Sequence, residues 1–150
     1  MSSREPVIAA VNGPCAGMAM PISLCLDLRF ASDKALFTTA FAQRGLIAEW
    51  GISWTLSRLV GPAHAMDLIL SARRVDATEA ERIGLVNTVY PHDELMPAAS
   101  AYARELAARC SPSSLAVQKR TTHQATNEGL GRSNAQSTKQ NPDTYAGAEF

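Results

Sequence analysis

A sharp turn close to the start of the sequence has the residue types of an anion-binding site. The uncharged run of residues 7–11 ends at Asn12-Gly13-Pro14, and the small residues Gly17 and Ala19 follow a few positions later. Backbone N–H groups in the first turn of a helix have no partner within that helix and carry partial positive charge. A chain that passes from a buried strand into a helix therefore offers donors to a negatively polarised oxygen. Alternatively, Gly17 and Ala19 are small only so that helix and strand pack closely.

One carboxylate, that of Glu49, lies within a largely apolar segment, GLIAEWGISW. Its neighbours Ala48, Trp50 and Ile52 are apolar, and burial among them would raise the pKa of Glu49 toward neutrality, which suits a group that transfers protons. The alternative is a solvated glutamate in the first turn of a helix, where the helix dipole favours negative charge. The residues alone allow both interpretations.

The other chemically reactive side chains do not form a recognisable site. Cys15, Cys25 and Cys110 have no C-x-x-C spacing, so neither a disulfide framework nor a zinc site is expected. The three histidines are too scattered for a catalytic triad or a metal site, and no metal ion is expected. Cys15 lies in the turn without an evident base, so we expect it to be a small buried packing residue.

Composition and charge are those of a well-packed protein of one domain's size. Hydrophobic residues make up 46% and charged residues 19% of the 150, and the 14 basic and 14 acidic side chains cancel. Without a long basic cluster, nucleic acid is not expected as a partner. Residues 6–26 are uncharged, but their turn would leave backbone donors unsatisfied in lipid, so no membrane span is expected. The unpaired cysteines and the lack of a signal-peptide pattern favour the cytoplasm.

Apolar spacing and turn residues predict a mixed α/β architecture. Gly61-Pro62 divides one long helical stretch, and Pro21 falls in a first helical turn, where a missing N–H costs little. Asp76 is a predicted helix N-cap, with Glu79 able to reach back to it as in a capping box. The predicted strands are residues 7–11, 28–31, 35–38 and 86–90, and the predicted helices include 52–60, 63–71 and 93–110, with another at Ser111-Pro112.

Four short strands beside about six helices are too few for a conventional closed sheet. Strands that are apolar throughout need cover on both faces and a neighbour along each edge. The N-terminal strands should therefore have exposed edges unless another chain pairs with them. Beyond Thr122 the sequence becomes polar, and we expect that tail to be mobile or to lie on a partner.

Three stretches of the sequence carry a family resemblance. They are VIAAVNGPCAG-M-A, then CLDLRFASDKALFT, and finally RLVGPAHAMDLILSARRVDATEAERIGLVNTVYP. In this order and spacing they resemble the crotonase superfamily, the enoyl-CoA hydratases and isomerases, and correspond to roughly the C-terminal three-fifths of a member. The resemblance implies a partial crotonase-like α/β spiral fold. Residues 1–74 would form a partial core with the turn, and residues 75–150 a C-terminal helical region used for trimerisation.

The resemblance also implies roles for individual residues. Met18 falls where the family has the glycine whose backbone N–H polarises a thioester carbonyl in an oxyanion hole. Pro21 and Phe41 fall where hydratases have two carboxylates, so a two-carboxylate hydration mechanism is not expected.

Glu49 falls where some isomerases carry an acidic residue that faces the substrate's carbon chain, which makes it the predicted acid/base. The predicted substrate-binding residues are Gly17, Ala19, Phe41 and Trp50. Trp50 and Trp54, four residues apart, fit the core as well as an acyl pocket.

The implied chemistry is enolate-stabilised proton transfer on an acyl-CoA thioester, as in double-bond hydration or isomerisation. Coenzyme A would be part of the substrate, and no further cofactor is expected. The alternative is a non-catalytic crotonase-like subunit or remnant that assembles with fuller family members. The expected partners are acyl-CoA and either identical chains, in a trimer or hexamer, or a complementary N-terminal crotonase half. Because losing one oxyanion donor costs about 100- to 1,000-fold in rate, the isolated chain is expected to be weak or inactive.

Overall fold

The computed structural model describes residues 3–126. They belong to two compact units, one of which is Ile8–Ala101, while the other contains the described residues on either side of that range. Most of the predicted polar tail lies outside the described residues. The predicted division of the chain into residues 1–74 and 75–150 stays a prediction. None of the described helices is long and apolar enough to cross a bilayer.

Two small sheets of three strands each lie within the unit Ile8–Ala101. Their strands are β1 (Ile8–Val11), β2 (Pro14–Ala16), β3 (Leu28–Ser32), β4 (Leu36–Thr38), β5 (Val75–Asp76) and β6 (Thr88–Tyr90). The first sheet has the order β1-β3-β6 with both pairs parallel, and Ala9 lies opposite Arg29. The second has the order β2-β4-β5, with β2 parallel and β5 antiparallel to β4. Within the described residues, β1 and β2 each end a sheet, and the exposure of the edges of the N-terminal strands stays a prediction.

Five α-helices and two single 3-10 turns make up the rest of the regular structure in residues 3–126. The helices are α1 (Ala19–Leu24), α2 (Ile52–Ser71), α3 (Ala77–Arg82), α4 (Leu95–Arg109) and α5 (Pro112–Ala125), and the 3-10 turns are Ala42–Arg44 and His92–Glu94. Pro21 lies in the first turn of α1, as predicted. The predicted division of α2 is also confirmed, because Gly61 has a non-helical φ of 78° and ψ of 160° immediately before Pro62.

Strands β2 and β5 are missing from the sequence-based prediction, so the predicted number of four strands is wrong. Both are very short, and β2 begins with a proline, which lacks a backbone donor. Each is held by β4: Cys15 pairs with Phe37 on one side, and Val75 pairs with Phe37 on the other. A strand that forms only by pairing with a segment distant in sequence has no hydrophobic periodicity of its own, so the sequence does not predict it.

The start of α3 is fixed by the predicted cap. The Asp76 carboxylate accepts the Glu79 N–H at 2.8 Å, which confirms Asp76 as the N-cap. The predicted return bond from Glu79 to the cap is wrong. Its carboxylate instead accepts two hydrogen bonds from the Arg73 guanidinium, at 2.7 and 2.8 Å, because a bidentate pair with a cation is stronger than a single bond to a neutral N–H.

The apolar core of the larger unit holds the turn and the sheets in place. Met20 of α1, Phe37 of β4, and Ile52 and Leu56 of α2 are almost completely buried in one cluster. A smaller cluster consists of Phe30, Leu95 and Ala99, with Ile8, Ala10 and Tyr90 packed against it. Strand β1 contributes to both clusters, since its Val11 packs against the first.

Candidate functional site

The turn that leads into α1 is built around Gly17, whose φ is 53°. Residues with side chains rarely adopt this left-handed backbone, which is why glycine is favoured there. The Gly17 N–H donates to the Thr38 carbonyl at 3.3 Å, and the Gly17 carbonyl accepts the Met20 N–H at 3.1 Å. These two bonds fix the course of the chain on both sides of Met18.

Met18 lies at the N-cap of α1, with a φ of −60° and a ψ of −29°. Within residues 3–126, no backbone carbonyl accepts the Met18 N–H. The residue as a whole is 41% exposed. The N–H of the predicted oxyanion donor is therefore not taken up by a backbone carbonyl of the described residues, and Met18 lies at the surface.

The two positions at which the resemblance implies the hydratase carboxylates hold buried apolar residues. Pro21 is buried within α1, and Phe41 is only 6% exposed and packs in the main core cluster. Neither side chain can donate or accept a proton. Phe41 therefore contributes to the core, and its role in substrate binding stays a prediction, as do those of Gly17 and Ala19.

Of the two interpretations of Glu49 that the sequence allows, burial among its apolar neighbours is wrong. Glu49 is exposed, and it lies two residues before Gly51, the N-cap of α2, so it is outside the first turn of that helix as well. The cause is local: Trp50 and Gly51 both have left-handed backbones, with φ of 56° and 68°, and turn the chain sharply. Ile52 enters the core after this turn, while Glu49 stays in solvent before it.

The core interpretation of the two tryptophans is also wrong. Trp50 is 68% exposed and Trp54 is exposed as well, together with Leu46 and Ile47 in the same segment. The Arg58 guanidinium carbon lies 3.8 Å from the centroid of the Trp54 ring, a cation–π contact. The sequence contained a signal for this contact, because Trp54 and Arg58 are four residues apart on a helix.

A cleft of about 310 Å³ lies beside the turn. Its lining residues come from the end of β1, the turn and α1: Val11, Asn12, Gly13, Pro14, Cys15, Ala19, Ile22, Ser23 and Leu26. Cys15 is buried as predicted, and its Sγ lies 3.6 Å from the Ser23 Oγ. Burial raises the pKa of the Cys15 thiol, an effect that the bond to Ser23 partly offsets, so the thiol is a packing group.

Among residues 3–126, no three His, Cys, Asp or Glu side chains lie close enough to hold a metal ion. The chemistry available at the turn therefore consists of a backbone donor and an apolar cleft, and the carboxylate of Glu49 lies in a separate segment before α2.

The fold and the sequence define a member of a known enzyme family. A family model described as enoyl-CoA hydratase/isomerase matches residues 1–147. The chain belongs to this family, which confirms the crotonase resemblance. It is 42% identical over 119 residues to a probable enoyl-CoA hydratase of Mycobacterium tuberculosis, echA12, a match that covers 79% of this chain and 41% of that protein. The chain thus spans about two-fifths of the length of this curated relative.

Solved structures agree with the fold. An enoyl-CoA hydratase of Mycobacterium marinum, EchA12_1, is 50% identical with a TM-score of 0.76, over 83% of this chain and 63% of that one. A probable enoyl-CoA hydratase/isomerase of Mycobacterium abscessus is 36% identical with a TM-score of 0.87, over 90% and 52%. The predicted α/β crotonase-type fold with few short strands is therefore confirmed.

Proposed function

We propose that the chain binds acyl-CoA thioesters at the turn before α1 and takes part in proton transfer on them. The observation that carries this proposal is the N–H of Met18, which no backbone carbonyl of residues 3–126 accepts, in a surface turn held in place by the two bonds of Gly17. A thioester oxygen that accepts this N–H gains stabilisation as negative charge develops on it. Family membership supports the same substrate class, since the relatives named above are described as enoyl-CoA hydratases or isomerases.

Glu49 is the proposed acid/base, and a single carboxylate favours isomerisation over hydration. Moving a double bond from C3 to C2 of an acyl-CoA requires one proton to leave C2 and one to be added at C4. One carboxylate can do both in turn, while the enolate charge rests on the thioester oxygen. Hydration needs a base for the water and an acid for the α-carbon, and the two positions that supply them in hydratases hold Pro21 and Phe41.

Glu49 lies in solvent in a segment with the exposed apolar residues Ile47 and Trp50. An acyl chain that contacts these residues would exclude water from the carboxylate, and this exclusion would favour proton transfer from carbon. Trp50 is therefore the proposed acyl-chain contact. No cofactor beyond the coenzyme A of the substrate is proposed.

The test is a pair of activity assays, 3-enoyl-CoA isomerisation and crotonyl-CoA hydration, with the wild-type chain and Glu49→Gln. We expect weak isomerisation by the wild-type chain, which falls at least 100-fold in the variant, because the amide cannot take up the proton. The matched control is Glu94→Gln, the same change at an exposed glutamate of another segment, which should keep the wild-type rate. Isomerisation that survives in Glu49→Gln would contradict the role of Glu49.

The second candidate is a non-catalytic subunit that assembles with fuller family members. The burial of Pro21 and Phe41 favours it, because these residues remove both carboxylates of the hydratase mechanism. Acyl-CoA binding without either activity, alone or with a family member present, would select this candidate. Assembly as a trimer or hexamer, or with a complementary N-terminal half, and a cytoplasmic location are proposals that sizing and fractionation can test.

A further inference from the structure

Asn12 and Gly13 form the link between the two sheets. Strand β1 ends at Val11 and β2 begins at Pro14, so only these two residues carry the chain from the first sheet to the second. They are the only asparagine-glycine pair in the sequence. The side-chain carbonyl of an asparagine can be attacked by the backbone nitrogen of the next residue, which makes asparagine one of the chemically labile residue types.

The surroundings of this link leave both reacting groups without a competing contact. The Asn12 side chain is exposed. Within residues 3–126, neither the Asn12 side-chain amide nor the Gly13 N–H takes part in a hydrogen bond. A Cβ added to Gly13 would meet no atom within 4 Å, so there is open space beside the backbone as well. Glycine also lacks the side chain that would hinder an attack by its own nitrogen.

Asn87 has the opposite arrangement in the same chain. Its Oδ1 accepts the Arg29 N–H at 2.8 Å, and its own N–H donates to the Arg29 carbonyl at 2.8 Å. The next residue is Thr88, the first residue of β6, whose side chain branches at Cβ next to the backbone nitrogen. Asn87 is therefore held in place and serves as an internal reference for the reactivity of Asn12.

We propose that Asn12 is a site of spontaneous modification, in which the Gly13 nitrogen attacks the Asn12 side-chain carbonyl and closes a succinimide ring. The new C–N bond replaces the bond to the side-chain amide, which leaves as ammonia with the proton from Gly13. Water then opens one of the two ring C–N bonds. Opening at the side-chain carbonyl gives aspartate, and opening at the main-chain carbonyl gives isoaspartate. Nothing is oxidised or reduced, and solvent water is the only co-reactant.

The isoaspartate product lengthens the link between the sheets, because the backbone then runs through the former side chain and gains a carbon atom. Strand β1 is held by β3 and β2 by β4, so the link and the turn that follows must take up the extra length. We therefore expect the turn at Gly17 to loosen. Either product also adds a negative charge to the cleft that Asn12 lines, which opposes negative charge on an oxygen bound nearby.

The test incubates the folded chain, residues 1–150, in mildly alkaline buffer. Peptide mapping by mass spectrometry follows the conversion of amide to carboxyl at each asparagine, and methyl transfer from S-adenosylmethionine by an isoaspartyl methyltransferase marks isoaspartate. We expect Asn12 to convert at least about tenfold faster than Asn87, because it lies in an exposed link without hydrogen bonds. The rate should rise with pH, since the Gly13 nitrogen attacks after losing its proton.

Gly13→Ala is the matched variant. It should slow conversion at Asn12 by at least about tenfold, because the added methyl group crowds the attacking nitrogen. The fold can accept this change, since Gly13 has no positive φ and the added Cβ has room. Wild-type chain unfolded in urea sets the time scale of the unprotected reaction.

The proposal is overturned if Asn12 of the folded chain keeps its amide while the chain in urea converts fully, because the fold then protects it. It is also overturned if Gly13→Ala and wild type convert equally fast, or if Asn87 converts as fast as Asn12. In the isoaspartate form, the Gly17 amide that donates to the Thr38 carbonyl should exchange its hydrogen faster, and an unchanged rate would contradict the effect on the turn. None of these measurements uses acyl-CoA, so their outcome is separate from that of the activity assays.

Discussion

Arg29 of β3 donates through its Nε to the Leu85 carbonyl at 3.0 Å, from a position that is only 6% exposed. Its Nη1 donates to the carbonyls of Leu26, at 2.7 Å, and Ser23, at 3.2 Å. One buried cation therefore ties the end of α1, the strand β3 and the segment before β6 to one another. The carbonyls at the end of a short helix need such partners, because the helix does not supply them.

We expect Arg29→Met to lower the free energy of unfolding by about 3 kcal/mol, since it leaves buried carbonyls without donors. The measurement is the urea midpoint, with an unchanged slope to show that the loss is in stability. Arg44→Met, at an exposed arginine, is the matched control and should shift the free energy by no more than about 0.5 kcal/mol. Equal losses in the two variants would show that the Arg29 bonds do not hold the fold.

Two substitutions, Met18→Pro and Met18→Ala, separate the contribution of the Met18 N–H from that of its side chain. Proline has no N–H, and its fixed φ is close to the −60° of Met18. Met18→Ala keeps the N–H and removes the thioether. In an acyl-CoA isomerase assay, the proline variant should lose about 100- to 1,000-fold in kcat/KM, while the alanine variant keeps most of the activity. Similar losses in both variants would assign the effect to the side chain.

Gly61→Ala tests the break in α2. The φ of 78° and ψ of 160° at Gly61 belong to a region that is essentially restricted to glycine. We therefore expect a loss of about 1 to 3 kcal/mol in the free energy of unfolding. Gly13→Ala serves as the control, because Gly13 has no positive φ and an added Cβ would meet no atom within 4 Å. If both variants unfold at the same temperature, the break does not depend on glycine.

The Arg73–Glu79 pair makes the free energy of unfolding depend on pH. The hydrogen bonds from Arg73 hold the pKa of Glu79 below its ordinary value of 4.5. A carboxyl whose pKa is lower in the folded state stabilises the fold above its unfolded pKa, and this contribution disappears as the pH falls through the folded pKa. Below about pH 4.5, wild type should therefore lose stability faster than Glu79→Gln.

Urea midpoints measured from pH 6 to pH 3 check this prediction. The difference between wild type and Glu79→Gln should be largest at pH 6 and should shrink as the pH falls toward 3, and added salt should reduce it, because the pair is partly exposed. In an Arg73→Met background, the same Glu79 substitution should show little pH dependence. If wild type and Glu79→Gln showed the same pH dependence of the urea midpoint with and without Arg73, the Arg73–Glu79 pair would be excluded as the source of the pH dependence.

Local sequence signals, which involve residues only a few positions apart, predicted much of the fold. The Asp76 cap depends on a bond to an N–H three positions later, and the division of α2 depends on the adjacent residues Gly61 and Pro62. Strands β2 and β5 were not predicted, because both exist only through pairing with β4, far away in sequence. The bonds of Arg29 were missed for the same reason, although an arginine inside the apolar strand LRFAS was a usable signal.

The site was only partly predictable. The assignment of Met18 as the donor comes from the family spacing and stays a prediction, while the left-handed Gly17 agrees with the predicted turn. The exposure of Glu49 did not follow from its apolar neighbours, since the direction of a side chain depends on the backbone of the next residues. Trp50 has a left-handed backbone that is uncommon for a bulky residue, and a sequence pattern does not indicate this.

The outer edge of β1 also bears on how this chain behaves in solution. An uncharged strand edge without a neighbour is a template for pairing with other polypeptides, and within residues 3–126 nothing pairs with the outer side of β1. We therefore expect residues 1–150 on their own to aggregate as their concentration rises, which light scattering would measure.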